Sequence, residues 1–471
     1  MGTKQRLILL FGVFVALLCI AMILSKPKKI NEPAVVSALQ AILDRGYIRV
    51  GIVPNTNDYY IENGTVKGFH YELTELFAHD MGLNTTYSVY DTYWDNFIAL
   101  LTGEVDLLAM DISSAFYHDV FFLYTEPHSY SPRVLVQRKE NLLVDKNGQW
   151  ISPKDSLADH AFLLTLPFLS VFYQDALTLS RNLPSGVRLT LKESFLVGRY
   201  SDMLQNKEAD MFIDYEKNVR SNSRLNRNLD YSVRLTDTQP LHWLVNKNNI
   251  ALQTLVDTYL DSFKKTNDYS VLINKYYAPN AQKRREIVRR QRGSEDVFIS
   301  DYDHLIRKHA QKNKLDWRFV AAVIYQESRF NPDAVGGGGA SGLMQLMPHH
   351  TSDSMDTLSV EDNIAKGCEL LHKLAVYYWN AGVKDSVDLY RFVLAAYNGG
   401  HCHVDDARLL AKKKGFDPNK WEDVNKMTGK LSDRKYIGKI KLQCGLYRGK
   451  RLQNYVFNVW KLYQHYQNMT N

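Results

Sequence analysis

Six apolar residues in a row, Phe319-Val320-Ala321-Ala322-Val323-Ile324, with Glu327 three positions further on, constrain this chain more than any other stretch. The run begins just after Asp316, a good N-cap. A helix apolar nearly all round belongs inside a core. Glu327 follows Ile324 by three residues, Val323 by four and Val320 by seven, so it continues the buried stripe. Asn331-Pro332 is expected to end the helix. Glu327 then sits in the last turn, near the negative end of the helix dipole. Burial and dipole both disfavour a carboxylate, so its pKa is expected to be raised. A carboxyl group still protonated near neutral pH is what a general acid needs. The plainer alternative is a core glutamate satisfied by a hydrogen bond.

Two later segments add polar groups. One is Gly342-Leu343-Met344-Gln345. The other, Ala396-Tyr397-Asn398-Gly399-Gly400, follows the apolar Phe392 to Ala395 and has the glycines of a helix terminus. With Gln326-Glu327-Ser328, Asn331-Pro332, Ala334 and Tyr455-Val456, they make residues 317–466 resemble the soluble lytic transglycosylase (SLT) family, which has a goose-type lysozyme-like fold. A further run looks like the membrane-bound lytic transglycosylase F branch: Gly400, His403, Asp406-Ala407-Arg408, Gly415, Trp421, Asp423-Val424 and Tyr447-Arg448-Gly449.

The resemblance implies a mechanism with one catalytic carboxyl, where the usual glycosidase has two. Glu327 would protonate the bridging oxygen between N-acetylmuramic acid and N-acetylglucosamine. It would then take the proton of the muramyl 6-hydroxyl as a 1,6-anhydro ring closes, with the substrate's 2-acetamido group in place of a second carboxylate. Ser328, Met344, Gln345, Tyr397, Asn398 and Tyr455 are the implied sugar contacts and acid-positioning residues; core packing is the alternative for the two tyrosines and Met344. No cofactor and no metal is implied. One departure stands out: the family usually has a serine where this chain has Gly336, in the run Gly336 to Gly339. Four glycines cost chain entropy on ordering, so a loop mobile until sugar binds is expected. The run is not a phosphate loop, because no Gly-Lys-Ser/Thr follows it.

The amino-terminal half alternates strand and helix patterns. Tyr47 to Val53 reads as a strand, Tyr71 to Met81 as an amphipathic helix, Phe97 to Leu101 as a short helix and Gly103 to Ala109 as a further strand. This is α/β composition. Leu43-Asp44-Arg45-Gly46, Arg49-Val50-Gly51, Gly68-Phe69, Tyr71-Glu72-Leu73, Gly103 with Asp106, and Ala209-Asp210 with Asp214 make residues 38–279 resemble bacterial solute-binding proteins of the amino-acid-binding type. The resemblance implies two lobes, a ligand cleft, and crossings between lobes near residues 133–136 and 235–243. It places Glu72, His118 and Asp214 as candidate cleft residues. Asp214 matches the acid that holds an α-amine, and His118 falls where an arginine usually grips the α-carboxylate. A neutral imidazole cannot replace a guanidinium fork. The implied ligand is therefore a muropeptide or another amino-acid-like wall fragment; the alternative is a spacer domain.

At the amino terminus Lys4 and Arg6 precede an apolar run from Leu7 to Leu24, and Lys26, Lys28 and Lys29 follow. The run is about the minimum for a membrane span and lacks a small-x-small cleavage site. The residues around Cys19 fit a lipidation signal poorly. We expect an uncleaved signal anchor in the cell envelope, facing the periplasm; the resemblance points to the outer membrane. Net charge is +7. Much of the excess sits at Lys283, Arg284, Arg285, Arg289, Arg290 and Arg292, which read as a solvated connector. No aromatic platform or motif supports nucleic-acid binding. Cys368, Cys402 and Cys444 allow one disulfide in an oxidising compartment, but sequence cannot pair them. His401-Cys402-His403 with Asp405 and Asp406 lacks zinc-site spacing.

The expected architecture is multidomain: an anchor (1–30), an α/β two-lobed periplasmic-binding-protein-like domain (38–279), a basic linker (280–297) and a mainly α lysozyme-like SLT domain (298–471). The expected activity is that of a lyase on peptidoglycan glycan strands, with ligand regulation by the first domain as an added role. The alternative is a wall-binding sensor whose catalytic fold has lost activity.

Overall fold

The structure, a computed structural model, describes residues 32–90, 92–114, 120–151, 161–167, 170–181, 183, 188–194, 200–221, 227–278, 298–347, 358–437, 440–447 and 449–470. The leader with Cys19, the basic linker and His118 lie outside the described residues. The chain divides into two compact units, Met1–Tyr60 with Lys67–Arg289, and Ile61–Val66 with Arg290–Asn471.

In chain order the strands are β1 (Tyr47–Ile52), β2 (Tyr60–Glu62), β3 (Thr65–Lys67), β4 (Asn84–Val89), β5 (Leu107–Ile112), β6 (Phe122–Tyr124), β7 (Ser129–Ser131), β8 (Arg133–Arg138), β9 (Ala161–Pro167), β10 (Arg188–Ser194), β11 (Met211–Tyr215), β12 (Leu229–Arg234) and β13 (Gln239–Asn246). The first unit holds two sheets, β4-β1-β5-β13-β6 with β7 beside β13, and β10-β9-β11-β8-β12. β1 runs parallel to both neighbours, as strands joined through crossover helices must. β5 is buried along its whole length, which is why Leu107 to Ile112 reads as a continuous apolar run. It begins later than the sequence pattern suggests. Gly103 caps the preceding helix (Tyr93–Thr102) in the left-handed conformation, and residues 104–106 are spent turning off that cap.

The helix Phe69–Asp80 buries Phe69, His70, Leu73, Thr74, Phe77 and Ala78, one face at helical spacing. It starts earlier than Tyr71 because Gly68, at φ 142°, turns the chain tightly against Asp58 O, where a Cβ would collide. The chain crosses between the sheets at Pro132 and again over residues 235–238, at the ends of the expected stretches. Arg133 fixes the first crossing: its Nε donates to Asp175 Oδ2 at 2.6 Å and its Nη1 to Ser113 Oγ at 3.0 Å, all buried.

The second unit is helical around one core. The helix Trp317–Ser328 passes through its centre, with Phe319 to Ile324 wholly buried. It ends before Asn331-Pro332. Arg329 (φ 56°) and Phe330 (φ 62°) both take the left-handed conformation and stop it at Ser328. The hairpin tip Ile61–Val66, which sequence reading did not separate from the first half, packs here. Ile61 joins the core, Tyr466 donates its hydroxyl to Gly64 O at 2.7 Å, and Thr65 Oγ1 lies 2.9 Å from the Tyr325 hydroxyl. Cys402 and Cys444 form a disulfide, and Cys368 is a buried thiol. The pairing takes Cys402 out of the metal-like run around it. Asp406 of that run is also engaged, accepting the backbone N–H groups of Gln443 (2.7 Å) and Cys444 (2.9 Å).

Candidate active site

Glu327 occupies the last turn of the helix Trp317–Ser328, whose start is capped by Asp316 accepting from the Arg318 N–H at 2.9 Å. From the final helix (Gly449–Met469), Tyr455 donates its hydroxyl to Glu327 Oε1 at 2.6 Å. Burial raises the Glu327 pKa above the ordinary carboxyl range; the Tyr455 bond and the Arg451 charge pull it partly back. Burial also pushes the phenols of Tyr455 and Tyr397 well up, so both stay protonated donors. The final helix approaches closely because Gly449 lies against Thr428 O, where a Cβ would collide.

Glu327 opens onto a groove of about 1200 Å³. One wall is the loop 336–347, which buried polar groups hold in place. Asn363 accepts from the Met344 N–H at 2.8 Å and donates to Ser341 O at 3.2 Å. Tyr397 donates to Met344 O at 2.7 Å. Gln345 Nε2 donates to Ala334 O at 2.8 Å and to Gly342 O at 3.0 Å, and the residue sits at φ 45°. Such a backbone persists only where its surroundings over-determine it. A Cβ at Gly336 would collide with Gln345 Oε1, so the amide oxygen of Gln345 stands where a larger residue 336 would project. The exposed residues Arg451, Asn454 and Asn458 of the final helix also line the groove.

The first unit has its own cleft, of about 780 Å³, lined by Asp58, Asp111 and Asp214 with the aromatic rings of Tyr93, Phe172 and Tyr200 among others. Asp111 and Asp214 come from β5 and β11, one from each sheet. Burial, with the Asp111 and Asp58 charges, pushes Asp214 up to about 7. Asp111 is held below the usual range despite burial, because Lys217 Nζ lies 2.8 Å away and His70 faces it. His70, Asp111 and His128 are close enough together to hold a metal ion. Their chemistry argues otherwise. The Trp243 indole N–H donates to His70 Nδ1 at 2.9 Å, so the His70 proton sits on Nε2, facing Asp111 at 3.3 Å. Lys217 already supplies the cation.

Residues 304–420 match the transglycosylase SLT domain family, and residues 48–279 match the bacterial extracellular solute-binding proteins, family 3. The chain is 27% identical over 432 residues to a membrane-bound lytic murein transglycosylase F of Desulfosudis oleivorans, covering 90% of this chain and 91% of that one. It is 28% identical over 433 residues to a protein of the same name from Photobacterium profundum, covering 90% and 81%. In domain content and order the chain is similar to these lytic murein transglycosylases F. An ancestral amino acid-binding protein of known structure is similar to half of it, with a TM-score of 0.42, 19% identity, and 51% of this chain and 99% of that one covered.

Of the transglycosylase residues expected from sequence, Glu327, Gln345, Tyr397, Asn398 and Tyr455 come together at the groove. Ser328 and Met344 do not. Ser328 is buried and donates back to Ile324 O at 3.1 Å. Met344 is wholly buried, its sulfur packed where a Cβ of Gly367 would lie, and Met347 lines the groove instead. Tyr397 spends its hydroxyl on the loop backbone, so it shapes the groove more than it reaches into it. In the solute-binding domain Asp214 lines the cleft. Glu72 does not: it is engaged by Lys275 at 2.6 Å and by the Tyr276 hydroxyl, tying its helix to Asn267–Tyr277. His118 lies outside the described residues. Sequence reading missed Asn363, and also Arg451 and Asn458. The latter two stand four before and three after Tyr455, the helical spacing that marks a shared face. Among the described residues no helix is long and apolar enough to cross a membrane.

Proposed function

We propose that the protein is a lytic transglycosylase that cuts the β-1,4 bond between N-acetylmuramic acid and N-acetylglucosamine in peptidoglycan, leaving 1,6-anhydro-muramyl ends. The observation that carries this reading is Glu327: a half-buried carboxyl of raised pKa, held by one phenol, and the sole carboxyl among the described groove residues. As the acid it gives its proton to the bridging oxygen while the muramyl C1–O bond breaks. As the base it takes the 6-hydroxyl proton while the C1–O6 bond forms, and no water enters. A two-carboxylate hydrolase would need a second acid across the groove. The phenol of Tyr455 suits both steps, because it donates to either protonation state of Glu327. The names and coverage of the curated relatives support the same substrate.

The alternative of an inactive wall receptor started from the missing hydroxyl at Gly336. The Gln345 amide oxygen beside that position offers a polar group in its stead, which favours the enzyme. The test is digestion of purified wall by the intact protein, with the products weighed. Anhydro-muropeptides, lighter than hydrolytic ones by one water, support the proposal; hydrolytic masses or no soluble fragments refute it.

We further propose that the amino-terminal cleft binds an amine-bearing wall fragment and that its occupancy changes the cleavage rate. Asp111 is already paired with Lys217, which leaves Asp58 and Asp214 on the lining to favour an ammonium group. A ligand can act only through its different affinity for two states of the protein. A muropeptide that binds the intact protein yet alters neither cleavage nor wall affinity would count against this role.

A further inference from the structure

The described lining of the groove carries two charged side chains, Glu327 and Arg451. Arg451 lies one helical turn before Tyr455, whose hydroxyl holds the acid, and its charge is felt at Glu327. The side chain is exposed, and no described carboxylate pairs with it. Asn454 and Asn458 extend the same stripe. The loop on the same lining adds Gly336, Gly337, Ala340, Gln345 and Met347, none of them charged. Arg451 is thus the one cation on the described lining, which it shares with the acid.

A peptidoglycan strand alternates two sugars, and so presents two kinds of β-1,4 bond in turn. N-acetylglucosamine carries a neutral hydroxyl at position 3. N-acetylmuramic acid carries there a lactyl ether, whose carboxyl is either ionised or joined to a peptide with carboxylates of its own. Both sugars bear the same acetamido group, so contacts to that group cannot tell the bonds apart. A cation beside the acid can.

We propose that Arg451 binds a carboxylate carried by the muramyl sugar at the scissile bond, and thereby sets which of the two alternating bonds meets Glu327. This rests on the peptidoglycan-cleaving reading above. The guanidinium can grip a carboxylate with two parallel N–H donors, which an ammonium or an amide cannot. The neighbouring Asn454 and Asn458 offer amides to the rest of the 3-substituent without adding charge. The carboxylate has two sources, the lactyl group itself and the peptide stem, and both place an anion on the same side of the bond.

The test compares the intact protein with R451Q and R451K on three substrates. These are peptide-bearing strands, strands stripped of peptide by an amidase, and stripped strands whose lactyl carboxylates have been converted to neutral methylamides. For the native protein, KM should rise about ten- to a hundredfold on the neutralised strands relative to the charged ones. R451Q should show that high KM on every substrate, with kcat changed by no more than a few-fold, and R451K should recover part of the difference. Raised salt should weaken the native protein more than R451Q. Equal native KM on stripped and peptide-bearing strands assigns the anion to the lactyl group; a rise on stripping assigns it to the peptide. The idea is overturned if R451Q matches the native protein on charged strands, or if it loses the same factor on charged and neutralised ones. Co-sedimentation of strands with E327Q and with E327Q/R451Q reads the same preference through binding alone. Failure of the native protein to release anhydro products would therefore sink the activity and still leave the role of Arg451 decided.

Discussion

Replacing Tyr455 by Phe removes one hydroxyl from the active site and leaves the ring that packs beneath it. The hydroxyl sits 2.6 Å from Glu327 Oε1; Tyr455 is buried and Glu327 half-buried. A hydrogen bond to a charged group contributes about 1.5–3 kcal/mol, more than a neutral one. Its loss falls mainly on the carboxylate form, the state Glu327 occupies after giving its proton to the leaving oxygen. The transition state that builds this charge should therefore rise by a similar amount, which is about a ten- to hundredfold fall in kcat. KM should change little, because the bond does not touch substrate. The sign of the pH effect follows as well. The Tyr455 bond lowers the Glu327 pKa against burial, so its removal raises that pKa further and moves the pH–rate profile to higher pH. Initial rates of soluble product release from purified wall, measured across pH for both proteins, provide the assay. A kcat within twofold of the native value, or a profile that does not move, would refute the assignment of Tyr455 as the residue that positions and tunes the acid.

Glu327→Gln should abolish cleavage while wall binding survives, a loss of at least about 10²–10⁴-fold because both proton transfers use this group. The same variant should be more stable than the native chain at neutral pH and lose that advantage in acid. The native Glu327 binds its proton more tightly folded than unfolded, so its contribution to stability is full below the unfolded carboxyl pKa and fades as pH rises through the folded one; thermal melts at several pH values check this. Gly64→Ala introduces a Cβ 2.5 Å from the Phe330 ring and 2.7 Å from the Tyr325 ring at φ +74°. It should cost about 1–3 kcal/mol and lower kcat by disturbing the turn after Glu327; unchanged melting and rate would show the hairpin tip to be passive. Asp214, pushed up to about 7, contributes stability that is full below pH about 4 and lost as pH passes 7. Asp214→Asn should flatten that pH dependence in denaturant titrations. Reducing the Cys402–Cys444 disulfide, with a sequence separation of 42, should lower the stability of the catalytic unit by about 2–4 kcal/mol in calorimetry.

Sequence determined the acid and the helix that carries it. The run Phe319 to Ile324 after an N-cap reads as a core helix, and the 3.6-residue period carries its buried stripe on to Glu327, which the structure leaves half-buried at the groove. Tyr455 and Asn398 were legible through family resemblance, and the strand–helix alternation of the first half through its apolar periods. What tertiary structure decided is where polar side chains spend their hydrogen bonds. Ser328 follows Glu327 in sequence, yet a helix turns successive residues by 100°, and its hydroxyl returns to Ile324 O. Met344 sits in a groove motif but fills the space that Gly367 leaves on another helix. Glu72 belongs to a cleft pattern but is taken by Lys275 and Tyr276, some two hundred residues away. Asn363 and the tip Ile61–Val66 carry no local signal, because their partners lie on segments distant along the chain. Periodicity reports which face of an element is buried; only the packed structure reports what that face meets, since the meeting is set by elements whose order in sequence does not encode their contact.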